Sequence, residues 1–163
     1  MQTRSGKTML LVMSAEAVLN FRVPAQPHLA RVVRQVASAF ATENGIDVDD
    51  LGQFLTALGE AVANAIEHAR TETGIEIEVT IDHNAIVGTV QDAGVGFASD
   101  ALVSPRLPGA DAERGRGLAI MRRCSDIFDV KSAPGKGTAV VVGRYLRRLN
   151  GKAHIAVGEV HFA

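Results

Sequence analysis

The sequence predicts an α+β fold: a two-layer sandwich of a mixed, mostly antiparallel β-sheet covered on one face by helices. Three observations carry that expectation. Two consecutive segments repeat apolar residues at helical spacing, at Leu29–Phe40 and Leu51–Ile66. Two later segments, Ile75–Ile81 and Thr138–Tyr145, are short, rich in β-branched residues and bounded by turn residues. Helices that precede a run of such strands pack on one sheet face rather than alternating with parallel strands.

Taken in order, Val18–Val23 alternates apolar and polar residues and stops at Pro24, as a strand does. Leu29, Val32, Val33, Val36, Ala37 and Phe40 line one helical face, and Asn44-Gly45 is a C-terminal stop. A second helix starts near Asp47 and runs to about Arg70, burying Leu51, Leu55, Leu58, Val62, Ala65 and Ile66. Ile75, Ile77, Val79 and Ile81 alternate with Glu76, Glu78 and Thr80, giving a half-exposed strand. Asp82-His83-Asn84 links it to a strand over Ala85–Val90. Residues 92–117 are irregular, with five glycines and two prolines, and an irregular stretch of that length in a compact domain is usually functional. A short helix is expected over Gly117–Ser125. Strands over Ile127–Lys131 and Thr138–Tyr145 follow, joined by Ala133-Pro134-Gly135-Lys136-Gly137. Residues 1–17 and 149–163 are terminal extensions to a domain spanning 18–148, and Ile155–Val160 could add an edge strand.

The composition excludes several classes of function. Of 163 residues, 47% are hydrophobic and 21% charged, as in ordinary soluble domains. A net charge of −1 supplies no bulk attraction to nucleic acid or an anionic membrane. Cys124 is the only cysteine, so no internal disulfide forms, which fits a reducing compartment. No apolar run reaches the roughly 20 residues that cross a bilayer, and a cytoplasmic location is expected. Known phosphate-loop patterns fail: Met1 stands where the first glycine before Ser5-Gly6-Lys7-Thr8 would be needed. Ser99, Ile120 and Val140 stand where a dinucleotide fingerprint needs its third glycine.

Four segments remain that could carry chemistry. Glu60, Asn64 and His68 follow one another at four-residue intervals and share a helix face; taken alone they read as a solvated polar stripe. Asp92-Ala93-Gly94-Val95-Gly96-Phe97 follows a strand, placing an acceptor beside glycines that let a ligand approach the backbone. Taken alone it is a glycine turn with a capping aspartate. Gly115-Arg116-Gly117 is expected to open a helix, where free amides bind anions and where Arg114 and Arg116 add charge. Gly135-Lys136-Gly137-Thr138, alone, is a hairpin turn.

In this fixed order the four segments resemble the asparagine box and the three glycine boxes of the GHKL ATPases, over about Val18–Leu146. Glu60-Ala61-Val62-Ala63-Asn64-Ala65-Ile66-Glu67-His68-Ala69 and Gly115-Arg116-Gly117-Leu118-Ala119-Ile120-Met121 look most like the anti-sigma-factor serine kinases of the RsbW and SpoIIAB type. That resemblance implies ATP and Mg²⁺ as cofactors. Asn64 would hold the ion, Asp92 would accept from the adenine amino group, and Thr138 would support that contact. Gly94, Gly96, Phe97 and His68 would line the nucleotide. Gly115, Arg116, Gly117 and Leu118 would face its phosphates through backbone amides. Glu60 would take the proton of a protein serine, and either Arg114 or Arg116 would contact the γ-phosphate. The implied partners are a STAS-type antagonist, which is the kinase substrate, and a sigma factor, with the kinase itself a homodimer. Two other readings stay open: a sequestration module with little catalysis, and a detached catalytic domain of a histidine kinase.

Overall fold

The computed structural model describes residues 16–68, 72–98 and 112–147, with the backbone alone at 112–115. Five strands and three helices follow in the order β1 (Ala17–Val23), α1 (Leu29–Glu43), α2 (Val48–His68), β2 (Ile75–Ile81), β3 (Ala85–Asp92), α3 (Ala112–Arg123), β4 (Ile127–Ser132) and β5 (Thr138–Tyr145). The strands form one sheet in the order β1-β2-β3-β5-β4. Each of its pairings is antiparallel, so the described sheet is not mixed.

The alternation in β1 and β2 sets their register. Leu19 pairs with Val79 and Phe21 with Ile77, and these side chains are buried while Asn20, Arg22, Glu76 and Glu78 are exposed. The opposite face of the same strands stays polar and carries an Arg22–Glu76 ion pair. A one-residue slip would exchange the two faces, so burial itself specifies the pairing. Asp82 closes the β2–β3 hairpin: its Oδ1 accepts the N–H groups of Asn84 and Ala85, both at 2.7 Å.

Both long helices have sequence-encoded ends. At the end of α1, Gly45 adopts φ 77°. The Ile46 N–H donates to Ala41 O at 3.0 Å and the Gly45 N–H to Thr42 O at 3.0 Å, the paired bonds of a Schellman stop. At the start of α2, Asp47 Oδ1 accepts the Asp49 N–H at 2.8 Å, an N-terminal cap. The buried Asp50 accepts the N–H of Arg147 at 3.1 Å and lies 3.7 Å from Arg147 Nε. That carboxylate therefore ties the segment after β5 to the first turn of α2.

Helix α2 lies across β3 and β5 and packs against both other helices. Its core contacts are Phe54, Leu58 and Val62, none of which has exposed surface. Gly88 on β3 makes the approach possible, because a Cβ there would stand 2.9 Å from Leu58 Cδ1 and 3.3 Å from Phe54 Cζ. Gly88→Ala is expected to destabilise the fold. Alanine recovers about 0.5–1 kcal/mol of backbone entropy, but crowding two fully buried side chains costs about 1–3 kcal/mol. A urea midpoint that rises in the variant would contradict this packing.

Several boundaries differ from expectation: β1 begins at Ala17 rather than Val18, and α3 ends at Arg123 rather than Ser125. β3 extends to Asp92 and β4 to Ser132, because both residues pair across to Thr138. α3 begins at Ala112, not at Gly117. Ala112, Glu113 and Arg114 are good helix formers, and two glycines weaken such a run without ending it. Leu118 packs against the core and Met121 is fully buried there, while Arg122 stands 5.3 Å from the Phe128 ring centroid; these contacts dock the helix. The expected end of α2 at Arg70, most of the irregular stretch before α3, residues 1–15 of the N-terminal extension and the whole C-terminal one, including Ile155–Val160, lie outside the described residues; Ala17, assigned to the first extension, belongs to β1.

Candidate functional site

Two clusters form on the helix-covered side of the sheet. The first joins α2 to α3. Glu60 and Asn64 are half-buried, one turn apart on α2. Gly117 of α3 is buried against them: a Cβ there would stand 3.2 Å from both amide atoms of Asn64 and 3.4 Å from Glu60 Oε2. The shared face expected of Glu60 and Asn64 is therefore not a solvated stripe. His68 lies one turn further on, half-buried, with Nε2 3.8 Å from Glu67 Oε2. Arg116 is exposed on α3, and the side chain of Arg114 lies outside the described residues.

The start of α3 corrects one expectation. Gly115, Arg116, Gly117 and Leu118 sit inside the helix, so their amides serve its internal bonds, and the unpaired amides fall in the turn before them. An anion attracted to this helix end meets that earlier turn.

The second cluster is built at one end of the sheet. Asp92, at the end of β3, is buried, and its Oδ1 accepts the Gly94 N–H at 2.8 Å. Its cross-strand partner is Thr138, whose partner on β4 is Ser132. The three stand in one row on the same face of the sheet. The segment after β3 is laced to the β4–β5 turn. Phe97 N–H donates to Ser132 Oγ at 2.8 Å, and Gly135 N–H donates to Val95 O at 2.7 Å. Ser132 Oγ lies 3.1 Å from Gly137 O and 2.9 Å from Thr138 Oγ1.

Glycine is required at both contact points. Gly96 has φ 60°, and a Cβ there would stand 2.1 Å from Ala133 O. Gly137 has φ 76°, and a Cβ there would stand 2.0 Å from Asp92 O. Asp92, Gly94, Gly96, Phe97 and Thr138 are thus brought together as one unit. Ser132 is at its centre, and sequence reasoning passed over it. The only local signal is a serine just before a Pro-Gly turn, which by itself says nothing of a partner 35 residues away.

Chemically, the second cluster offers a carboxylate and a hydroxyl on neighbouring strands. The first offers a carboxylate and an amide oxygen at a helix junction, fitted to a cation or a transferable proton. Among the described residues no group of three or more His, Cys, Asp or Glu side chains could hold a metal ion. Magnesium needs few protein ligands, and the Asn64 side-chain oxygen together with ligand oxygens would suit it.

Comparison with known proteins agrees with this architecture. Residues 23–143 match the family described as "Histidine kinase-like ATPase domain". The anti-sigma F factor of Caldanaerobacter subterraneus is 34% identical over 122 residues, 71% of this chain and 84% of that protein. The chain belongs to the histidine kinase-like ATPase domain family and, within it, to the family of the anti-sigma F factors. Among solved structures, the RsbU and RsbW domains of a Mycobacterium tuberculosis protein share the fold with a TM-score of 0.62 at 21% identity, over 80% of this chain and 33% of that one. Full-length ShkA in complex with AMPPNP matches with a TM-score of 0.50 at 25% identity, over 78% of this chain and 32% of that one. This chain thus spans about a third of each of those two chains. Among the described residues, no helix is long and apolar enough to cross a membrane.

Proposed function

We propose that this chain is a cytoplasmic, ATP- and magnesium-dependent protein-serine kinase and anti-sigma factor. Its substrate would be a serine of a STAS-type antagonist, and its second partner a sigma factor bound by a homodimer of the kinase. The observation that carries the reading is the meeting of Glu60, Asn64 and Gly117 at the α2–α3 junction. Family membership supports the nucleotide, and the Asp92–Thr138 pair offers a place for its base. His68, Gly94, Gly96 and Phe97 line the nucleotide in this reading.

In this reading Asn64 would hold Mg²⁺ through its side-chain oxygen, and the ion would supply charge neutralisation at the phosphates. Arg116 or Arg114 contacts the γ-phosphate, and the first turn of α3 supplies amides. The serine oxygen forms a bond to the γ-phosphorus as the bond from phosphorus to ADP breaks. Glu60 receives the serine proton. Positioning and charge stabilisation supply most of the acceleration in such transfers.

Calorimetry of ATP binding with and without Mg²⁺ tests the proposal. Wild type should bind ATP more tightly with magnesium. Asn64→Ala should lose that enhancement, by about 10–100-fold in affinity, as befits one contact to an ion worth about 1.5–3 kcal/mol. No ATP binding by wild type would overturn the kinase reading. A magnesium enhancement that survives in Asn64→Ala would remove Asn64 from the site.

A second reading, nucleotide-dependent sequestration with little catalysis, draws on the close packing of Gly117 over Asn64 and Glu60. That packing leaves little space beside those groups. Acid-stable phosphoserine on the antagonist would exclude it.

A further inference from the structure

Helices α1 and α2 are joined by a short turn and pack side by side. The seam between them opens as a groove that encloses about 420 Å³ and is lined by Ala25, Pro27, Ala30, Ala63, Ile66 and Glu67. Pro27, Ala63 and Glu67 are exposed, while Ala30 and Ile66 are half-buried. Ala30 and Ala63 leave the seam open, since larger side chains there would fill it. Toward the start of α2 the seam is closed. Arg34 reaches across from α1 and lies on Gly59, where a Cβ would stand 2.8 Å from its Cδ. The open part therefore begins beside Ala63 and runs toward the end of α2. Glu67 is the only charged residue of its lining. That carboxylate is 3.8 Å from His68 Nε2, too far for a hydrogen bond.

The groove adjoins the α2–α3 site. Glu60, Ala63 and Glu67 follow one another at three- and four-residue spacing and share one ridge of α2. A helix advances about 1.5 Å per residue, so along its axis Ala63 is about 4.5 Å from Glu60, Ile66 about 9 Å and Glu67 about 10 Å. An extended chain advances about 3.3 Å per residue. A segment that holds a serine over Glu60 and follows this ridge sets the residue about two positions away above Ala63 and Ile66. It sets the residue about three positions away beside Glu67.

We propose that this groove is the docking subsite for the chain that carries the acceptor serine, with Ala63 and Glu67 as its specificity-determining residues. The groove takes an apolar side chain about two positions from the serine, and Glu67 takes a basic one about three positions away. The assignment deepens the kinase reading given above and rests on it. An apolar side chain gains by leaving water for the groove, and an acidic one at the outer position meets like charge at Glu67. Neither Ala63 nor Glu67 handles the proton or the nucleotide, so both act on binding of the acceptor rather than on the transfer step.

The test uses short synthetic peptides, each with a single serine, phosphorylated with Mg²⁺ and ATP and compared by kcat/KM. The first carries leucine at the inner position and lysine at the outer one, made in separate versions on either side of the serine. In the second, glycine replaces the leucine; in the third, glutamate replaces the lysine. Wild type is expected to favour the first over the second by about tenfold, the low end for an apolar pocket. It is expected to favour the first over the third by about fivefold, the upper end for one exposed ion pair. Both preferences should lie in KM. Ala63→Phe, which fills the groove, is expected to lose the leucine preference and keep the rate on the glycine peptide. Glu67→Lys is expected to invert the charge preference and make the glutamate peptide the better substrate. ATP affinity should stay unchanged in both variants.

Equal use of the three peptides by wild type would overturn the proposal, and so would a charge preference that Glu67→Lys leaves as it was. Glu67 is exposed on the helix surface, so its reversal carries the test should Ala63→Phe not fold. If wild type phosphorylates a STAS-domain protein but none of the peptides, the docking subsite fails and the kinase reading stands. If it phosphorylates neither, both fail together.

Discussion

Replacing Glu60 with alanine is expected to slow phosphoryl transfer to a protein serine by about 10²–10⁴-fold, the usual contribution of a general base, while ATP affinity stays nearly unchanged. Glu60 lies on α2 one turn before Asn64, and both face Gly117 of α3. In the proposed roles Asn64 meets the ion and Glu60 meets the incoming hydroxyl, so only the second contact is lost. The fold should tolerate the change, because Glu60 is half-buried within a helix and alanine is the better helix former. Single-turnover transfer to the antagonist, measured beside calorimetric ATP binding, separates the two quantities. Transfer at the wild-type rate would remove Glu60 from the chemistry. Loss of ATP binding in step with transfer would mean that Glu60 belongs to the nucleotide site.

The second large effect is on stability. Gly137→Ala is expected to cost about 2–5 kcal/mol. A left-handed backbone costs an L-residue about 1–2 kcal/mol, and overpacking adds about 1–3 kcal/mol. Here the added Cβ would stand 2.0 Å from Asp92 O and 2.9 Å from Ala93 Cα, which are backbone atoms with little freedom to yield. Gly135, two residues earlier, is the internal control: it has φ 75°, but a Cβ added there would meet no atom within 4 Å. Gly135→Ala should therefore cost only the backbone share. Equal midpoints for the two variants in guanidinium melts would show that the close approach at Asp92 carries no energy. Because Gly137 O also accepts from Ser132, the variant should weaken ATP binding along with the fold.

Much of this was readable from local pattern. Alternation in Ile75–Ile81 and spacing in Leu51–Ile66 specify burial directly, since each period fixes a face. Asp92 and Thr138 stood out because each follows or opens a strand beside glycines. The start of α3 was not readable in the same way. Gly115 and Gly117 look like breakers, while the docking of Leu118, Met121 and Arg122 that holds the helix is tertiary. Ser132 escaped for a related reason. Its partner Phe97 is 35 residues away in sequence, and no local period encodes a contact that only the sheet creates. The pairing of Glu60 and Asn64 with Gly117 is likewise a helix–helix contact, and sequence could supply its residue types but not their meeting.

The tie between Asp50 and Arg147 works as a clasp. Its two ends are 97 positions apart, so it closes a circuit that takes in every described element from α2 to β5 and leaves out β1 and α1. Chain ends ordinarily fray on their own, at little cost to the interior. Here peeling the segment after β5 away from the sheet would strip a buried carboxylate of its backbone donor, a loss of about 1–3 kcal/mol. The first turn of the central helix would feel it at once. The segment after β5 and the start of α2 are therefore expected to loosen together rather than one before the other.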